Sequence, residues 1–244
     1  MKYLKKFENH TQYENARQNL ILPNVSLCTQ ENEVHYNPFV PPTILVTKYN
    51  ITNTSTATNI MGSSASSLFS EIEIDGVKQS NITTTYTFDT TGEHTIKYTL
   101  ADPTSIGDNA FKQCTAMTEI IIPNSILTIG ASVFVNCDGL SSINIPDSVT
   151  SIGQGVFGSC SNLEHVTIGN GITTIGDYAF YLCEGTKYIT INSNIAPTLL
   201  GNNIFYEIRR GGIIYVPQGS TGYDTFMQNA NYYLGKYGWT LVEQ

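Results

Sequence analysis

Four cysteines are the residues of this chain whose type and spacing could do chemistry. Cys114, Cys137, Cys160 and Cys183 recur at one fixed interval, every twenty-third position, and a thiolate can act as a nucleophile, a metal ligand or a disulfide partner. His165 follows Cys160 by five residues and could serve as the base of a Cys–His pair. Cysteines at one repeated position are better explained as small buried hydrophobes, so we expect a column of packed free thiols.

Two other short motifs with ligand-binding chemistry have plainer explanations. Glu71, Glu73 and Asp75 faintly resemble a calcium loop, but the isoleucines between them predict a strand that runs into an Asp-Gly turn. Arg209-Arg210 and the two glycines after them could bind an anion, although a solvated loop is the plainer interpretation. The sequence has no phosphate-binding loop, His-Glu-x-x-His motif or nucleophile elbow. We therefore predict a non-enzymatic protein with no catalytic residues, no metal and no cofactor.

The element that carries the cysteines is a repeat. The pattern Ile-Gly-x-x-x-Phe-x-x-Cys occurs four times at the interval of the cysteines, starting at Ile106, Ile129, Ile152 and Ile175. A segment with the alternation of a β-strand follows each copy, and a period of this length indicates stacked coils that share one core. Phe205 follows Phe180 two positions later than the interval requires, so we predict a two-residue insertion between Ser193 and Pro197.

These coils resemble the BspA-like subfamily of leucine-rich repeats. The segments from Ser105 to Ile122 and from Ser151 to Ile168 match the coil of that subfamily nearly position by position. Ile213 to Pro217, followed by an amphipathic pattern and Trp239, resembles its closing cap. The resemblance covers about residues 104–244. It implies a surface-exposed binding or adhesion protein, and it implies neither a reaction nor a ligand.

The sequence as a whole predicts a mainly β protein with four parts. Residues 1–42 form an N-terminal anchoring or assembly segment, with a short helix over about 12–20, and residues 43–101 form a small all-β domain of immunoglobulin-like sandwich character. Residues 102–206 form the leucine-rich-repeat solenoid, and residues 207–244 form a C-terminal helical cap. The cap helix is predicted from apolar residues at helical spacing: Tyr223, Phe226, Met227, Ala230, Tyr233 and Leu234.

Charge and composition narrow the classes of partner. The net charge is −8, and residues 101–205 hold eight acidic residues against two lysines. This balance argues against nucleic acid and against anionic membranes, and it predicts a neutral or basic partner. No stretch approaches the roughly 20 apolar residues of a membrane helix. The basic first residues lack the apolar run of a signal peptide, so we expect the chain not to use the ordinary secretory route.

The outward residues of the coils form a candidate binding face. In each coil the residues that flank the inner strand position point outward, and stacking brings them into two columns. One column is Glu119, Ser142, His165 and Tyr188, and the other is Ile121, Asn144, Thr167 and Thr190. Exposed apolar groups such as Tyr188 and Ile121 are typical of a binding patch. An ordinary solvated sheet face is the alternative.

Two settings explain a display protein of this kind. The segments Tyr3 to Glu8, Leu22 to Ser26 and Val34 to Pro38 resemble a module at the N-terminus of gut-phage virion structural proteins. That resemblance implies a head or tail fibre or decoration protein of a tailed bacteriophage, located in the virion. Its partners would be other virion proteins, bound through residues 1–42, copies of itself in a homo-oligomer, and a host surface glycan or protein. The alternative is a BspA-like adhesin on a bacterial cell surface.

Overall fold

The computed structural model describes residues 43–201, 203–228 and 234–244, and the backbone of two strands before them. The chain divides into two compact units, Met1–Pro42 and Thr43–Gln244. In the first unit, strands β1 (Val25–Gln30) and β2 (Glu33–Pro38) pair antiparallel, with Val25 opposite Pro38. The helix predicted over about residues 12–20 lies outside the described residues.

The second unit opens with an antiparallel sheet. Its chain order is β3 (Ile44–Ile51), β4 (Thr58–Asn59), a short 3-10 helix (Ser66–Leu68), β5 (Phe69–Ile74), β6 (Val77–Lys78), β7 (Thr85–Tyr86) and β8 (Gly92–Leu100). Strands β9 (Ser105–Ile106) and β10 (Met117–Ile121) follow in the first coil. The five-stranded sheet has the order β10-β3-β8-β5-β6, while β4 and β7 form a separate two-stranded pair.

The sheet therefore crosses the boundary predicted after residue 101. Strand β10 belongs to the first coil, yet it pairs antiparallel with β3, with Met117 opposite Tyr49 and Ile121 opposite Val46. Residues 43–101 do not form the expected immunoglobulin-like pair of sheets. They form one sheet that includes strand β10 of the solenoid, and a separate pair of two-residue strands, β4 and β7. About 60 residues are too few to bury a core well alone, and packing on the first coil supplies the missing apolar surface.

The remaining strands stack into two parallel sheets. The short sheet consists of β9, β11 (Thr128–Ile129), β13 (Ser151–Ile152), β15 (Thr174–Gly176) and β17 (Thr198–Leu200). The long sheet consists of β12 (Ser142–Ile145), β14 (His165–Ile168), β16 (Tyr188–Ile191), β18 (Ile213–Val216) and β19 (Thr240–Glu243). The second to fifth coils each contribute a strand to both sheets, and the first coil contributes only β9, so the chain forms a β-solenoid as predicted.

A stack of phenylalanine rings runs through the centre of the solenoid. The five rings are fully buried or nearly so, and their neighbouring centroids lie 5.9, 5.6, 5.3 and 5.3 Å apart (Phe111, Phe134, Phe157, Phe180 and Phe205). At the first end, the rings of Phe69 and Tyr98 contact Phe111 at 5.7 and 5.2 Å. At the other end, Phe226 contacts Phe205 at 5.9 Å. Flanking segments thus cover both ends of the stack, as a solenoid requires.

The repeated cysteines form the predicted column of free thiols. All four are buried and unpaired with one another. Burial raises the pKa of Cys114 and of Cys160 to about 12. In the last three copies the thiol donates to the carbonyl oxygen of the phenylalanine one coil earlier, at 3.1, 2.9 and 2.9 Å (Cys137 to Phe111, Cys160 to Phe134, Cys183 to Phe157).

The glycine of each Ile-Gly pair allows neighbouring coils to approach closely. A Cβ atom on Gly153 would lie 2.6 Å from the carbonyl carbon and oxygen of Gly130, and one on Gly176 would lie 2.5 Å from the carbonyl carbon of Gly153. Real Cβ atoms do not come so close to backbone, so the glycine column sets the packing distance of the coils on that side.

The two inserted residues of the fifth coil occupy separate places. Strand β17 pairs with β15 one position later than the repeat interval requires, with Thr174 opposite Thr198. The delay has grown to two positions by Phe205, whose ring stacks on Phe180. One inserted residue therefore lies before Thr198, as predicted, and the other lies between Leu200 and Phe205, where Gly201 has a φ of 153°. The prediction that both lie between Ser193 and Pro197 is wrong in that respect.

The described residues of the C-terminal part contain one short helix rather than a helical cap. Helix α1 spans Tyr223–Gln228, while Ala230 and Tyr233 lie outside the described residues. Leu234 belongs instead to a turn that leads into β19, where its carbonyl accepts from the backbone N–H of Trp239 at 3.2 Å. Because β18 and β19 extend the long sheet, the solenoid itself continues beyond the boundary predicted at residue 206.

Candidate binding face

The long sheet brings six of the eight candidate binding residues together. Parallel pairing places Ser142 opposite His165 and His165 opposite Tyr188. The second column, Asn144, Thr167 and Thr190, is held in the same register. Between the two columns the side chains that point inward are buried: Ile143, Val166 and Ile189. The alternation of buried and outward residues follows from strand geometry, so the face is rigidly tied to the core.

Glu119 and Ile121 lie on a different sheet. Both belong to β10, whose hydrogen-bonded partner is β3. The Glu119 carboxylate lies 3.1 Å from the Lys48 ammonium group, which also reaches Glu93 at 3.5 Å. Ile121 is 53% exposed. The expectation of one continuous eight-residue sheet face is therefore wrong at these two positions, because the hydrogen bonds of β10 join it to β3 and it is not a strand of the long sheet.

An aromatic row crosses the long sheet. The ring centroids of His165 and Tyr188 lie 4.9 Å apart, and those of Tyr188 and Tyr215 lie 6.2 Å apart, with 25° between the planes in both pairs. Tyr215 continues the second column, since it lies opposite Thr190. Tyr215 was not among the predicted residues of the face. The segment Ile213-Ile214-Tyr215-Val216 nevertheless has the same alternation of inward and outward positions as the strand before it. The rings stack face to face, so their edges and polar atoms are what the row offers to a ligand.

A charged rim borders the aromatic row where the strands begin. Lys187 precedes β16, and its ammonium group lies 2.6 Å from the Glu164 carboxylate of the preceding coil. The hydrogen bond from Lys187 is the main cause that lowers the pKa of Glu164, and the positive charge of Arg209 contributes. Arg209 and Arg210 are both exposed, and neither forms an ion pair with another described residue. The rim therefore becomes basic toward the C-terminal end.

The other motifs with possible chemistry are structural. The Cys160 thiol is buried in the core with a raised pKa, whereas the His165 side chain is exposed on the long sheet. Because burial disfavours the thiolate, this pair lacks an activated nucleophile. No group of three or more candidate ligands for a metal occurs in the described part of the chain.

The acidic run at Glu71, Glu73 and Asp75 forms a strand and a turn. Each carboxylate pairs with a basic side chain of a neighbouring segment: Glu71 with Lys78, Glu73 with Lys97 at 2.6 Å, and Asp75 with His94 at 2.6 Å. The strand–turn interpretation is confirmed, since β5 ends at Ile74 and pairs with β6.

A shallow groove of about 410 Å³ lies on the short sheet, lined in part by Gly153, Gln154, Asp177 and Leu200. The Asp177 carboxylate already accepts from the backbone N–H groups of Tyr178 at 3.0 Å and Asn203 at 2.9 Å. Its charge is thus used to shape the turn, and the long sheet remains the stronger candidate face. None of the helices in the described ranges has the length and apolar character to cross a membrane.

Comparisons with known proteins identify the repeat. Residues 81–211 match the family model described as BspA type leucine rich repeat region, with six copies. A solved leucine-rich repeat protein of T. pallidum is similar at 18% identity over 51% of this chain and 77% of that chain, with a TM-score of 0.35. Another, from Bacteroides ovatus, is similar at 22% identity over 46% of this chain and 36% of that chain, with a TM-score of 0.33. No curated protein matches the chain. Because the family model matches more than half of its residues, the chain belongs to the BspA-type leucine-rich-repeat family.

Proposed function

We propose that this protein is a non-enzymatic, adhesin-like binding protein whose ligand contacts the long sheet. The observation that carries the proposal is the aromatic row of His165, Tyr188 and Tyr215 on outward positions of that sheet. The core is complete beneath these rings, since Val166, Ile189 and Ile214 are buried. Tyrosine is enriched among the residues that carry binding energy in interfaces. Membership in the BspA-type family supports the same role.

The double variant H165A/Y188A tests the binding face. We expect adsorption to the host cell to be lost while the melting temperature stays near that of the wild type, because both side chains lie outside the core. Tyr178 offers a matched control, since it is an exposed tyrosine on a turn outside the long sheet, and Y178A should adsorb normally. Unchanged adsorption of H165A/Y188A would show that the face is only solvated and that the solenoid acts as a spacer or a packing surface.

The setting that we propose is the virion of a tailed bacteriophage, as a head or tail fibre or decoration protein. The support is the resemblance of residues 1–42 to the leader module of gut-phage structural proteins, through which the chain would contact other virion proteins and form a homo-oligomer. A BspA-like adhesin of a bacterial cell surface is the second candidate, and the family match supports it equally. The neighbouring genes distinguish the two settings: capsid and tail genes favour the first, and polysaccharide or secretion genes favour the second.

Deletion of residues 1–42 tests the assembly role. Because Thr43–Gln244 is a compact unit of its own, we expect this fragment to fold and to melt cooperatively by circular dichroism. It should no longer sediment with particles or form the oligomers of the full chain. A fragment that still assembles normally would refute the anchoring role of the segment and would leave the binding face untouched.

A further inference from the structure

We propose that the ligand of the long sheet is an acidic polysaccharide whose carboxylate groups are bound by Arg209 and Arg210. The inference rests on the proposed binding function and names the class of ligand. It also departs from the neutral or basic partner that the overall charge of −8 predicts, because two exposed arginines without an ion pair to a described residue precede strand β18 of that sheet.

No carboxylate of the described residues forms an ion pair with either of the two guanidinium groups. Arg209 is close enough to Glu164 for its charge to be felt there, but Glu164 is already paired with Lys187 at 2.6 Å. Both arginines are exposed and form no ion pair with another residue in the described ranges. An arginine presents a planar fork of donors that fits a carboxylate or a sulfate, and both forks remain open to a ligand.

Hydrogen bonds to the next coil hold the loop of the arginines in place before a ligand binds. The indole N–H of Trp239 donates to the carbonyl oxygen of Arg209 at 2.7 Å. The backbone N–H of Gly211 donates to the carbonyl oxygen of Tyr237 at 2.8 Å. The Arg210 guanidinium lies over the Tyr237 ring, 5.8 Å from its centroid. A loop fixed by the next coil loses little entropy on binding, which favours affinity.

Beside the arginines, the outward side chains of the long sheet are mainly polar. Strands β14, β16 and β18 present six outward side chains, and five of them carry a ring nitrogen or a hydroxyl group; Ile213 is the sixth. The polar five are His165, Thr167, Tyr188, Thr190 and Tyr215. The edges of aromatic rings carry partial positive charge, and because these rings stack on one another their edges rather than their faces are presented to a ligand. Such a surface suits oxygen atoms rather than apolar side chains.

The outward positions of the long sheet repeat from coil to coil in parallel register. The strands stack about 4.8 Å apart, which is close to the length of one sugar ring within a chain. Successive sugars of a linear polysaccharide can therefore meet equivalent hydroxyl groups of successive coils. A protein partner would instead be expected to insert a few apolar anchors into pockets. The regular spacing of polar side chains therefore favours a polysaccharide.

The test uses the full chain and three uronate polymers: hyaluronate, alginate and polygalacturonate, with dextran as the neutral polymer. We expect at least one uronate polymer to bind, to weaken as sodium chloride is raised, and to compete with adsorption to the host cell. The variant R209Q should weaken this binding about tenfold, as expected for the loss of one charge-assisted hydrogen bond. R209K keeps the charge but lacks the planar fork, so its affinity should lie between those of the wild type and R209Q. The charge-matched control K112Q changes an exposed lysine between Phe111 and Cys114, outside the long sheet, and should bind like the wild type.

The outcomes distinguish failure of the acidic-polysaccharide proposal from failure of the proposed binding face. If no uronate polymer binds, if dextran binds as tightly, or if R209Q binds like the wild type, the acidic polysaccharide is refuted. If adsorption still depends on His165 and Tyr188 in that case, the binding face stands with another ligand. If H165A/Y188A adsorbs normally, the binding face itself is refuted.

Discussion

Phe157 lies at the centre of the ring stack, and its replacement by alanine tests how the coils hold together. Its side chain is fully buried, and its ring centroid lies 5.6 Å from that of Phe134 and 5.3 Å from that of Phe180. Backbone hydrogen bonds to the next coil flank the site, including Phe157 N–H to Ala179 oxygen at 2.9 Å. These bonds fix the coils at their spacing, so the cavity left by the ring cannot close by collapse.

The expected cost of Phe157→Ala is at the upper end of the usual range. Removing a buried phenylalanine costs about 3–5 kcal/mol in free energy of unfolding, and each aromatic pair adds about 0.5–1.5 kcal/mol beyond the area that it buries. Because two pairs are lost and the cavity stays open, we expect about 4–5 kcal/mol. The control Phe157→Leu keeps an apolar side chain in the site and loses mainly the stacking, so we expect about 1–2 kcal/mol.

Urea denaturation followed by two probes measures these values. Circular dichroism reports on all strands, and the fluorescence of the single tryptophan, Trp239, reports on the last coil. If Phe157→Ala costs no more than Phe157→Leu, the rings do not form the tightly packed stack that the centroid distances describe. If the two probes separate only in the alanine variant, the solenoid has split at the damaged coil, as nearest-neighbour coupling of repeats permits.

Three further predictions concern other rows of the solenoid and the sheet beside it. Gly153→Ala should cost about 1–3 kcal/mol, because the added Cβ would lie 2.6 Å from the backbone of Gly130; an unchanged melting temperature would contradict the close-approach argument. Burial alone would lower the pKa of His94, but the hydrogen bonds to Asp75 and to a backbone carbonyl raise it. Its contribution to stability should therefore be full below the unfolded pKa of about 6.5 and should be lost as pH rises through the folded pKa; H94Q should flatten this dependence in melts taken from pH ~5 to ~8.5. In a C28S background, the four buried thiols should resist a thiol reagent at neutral pH until the protein unfolds, and reductant should leave the melting temperature unchanged; rapid native labelling would show that the column is open.

The repeat could be predicted from the sequence because every copy of the pattern has the same residue types at the same core positions. Ile, Phe and Cys recur at fixed positions, and each fills one row of the shared core. In the second to fourth copies, the glycine after the isoleucine stands where a Cβ would meet the previous coil. Local pattern and packing therefore agree at every turn, which is the condition under which sequence reasoning is reliable.

The pairing of β10 with β3 could not be read from any local pattern. The paired residues are far apart in the sequence, as in Glu119 opposite Lys48, and a single non-local pair leaves no period in the sequence. The alternation of buried and outward residues in β10 is compatible with pairing to β3 or to β12. It therefore does not show which of these strands β10 will pair with. The same limit explains the basic rim, because the influence of Arg209 on Glu164 of an earlier coil follows from the stacking of the coils and not from a local pattern.

The predicted cap helix shows where local periodicity is overruled. Helical spacing does hold from Tyr223 to Gln228, where α1 forms. Beyond the next five residues, which lie outside the described ranges, Gly235 belongs to a turn and Gly238 has a φ of 73°, a left-handed conformation that ends the turn and admits β19. Pairing of β19 along all four residues of β18 then stabilises the strand.

The division of the two inserted residues decides which side chains the binding face contains. Side chains alternate along a strand, so a shift of one residue exchanges the buried and the outward set. With only the first insertion, Tyr215 would align with the buried Ile191; with both insertions it lies opposite Thr190 and its ring meets Tyr188. The first insertion keeps the apolar Leu199 aligned with Ile175 in the short sheet, and the second restores Ile214 and Val216 to the core. A deletion at Gly201 should therefore leave the first four coils intact but force either Tyr215 into the core or the last coils out of register. Such a variant should lose the native fluorescence of Trp239 and host adsorption together, while most of the circular dichroism of the sheets remains; a deletion that changes neither signal would refute this account of the register.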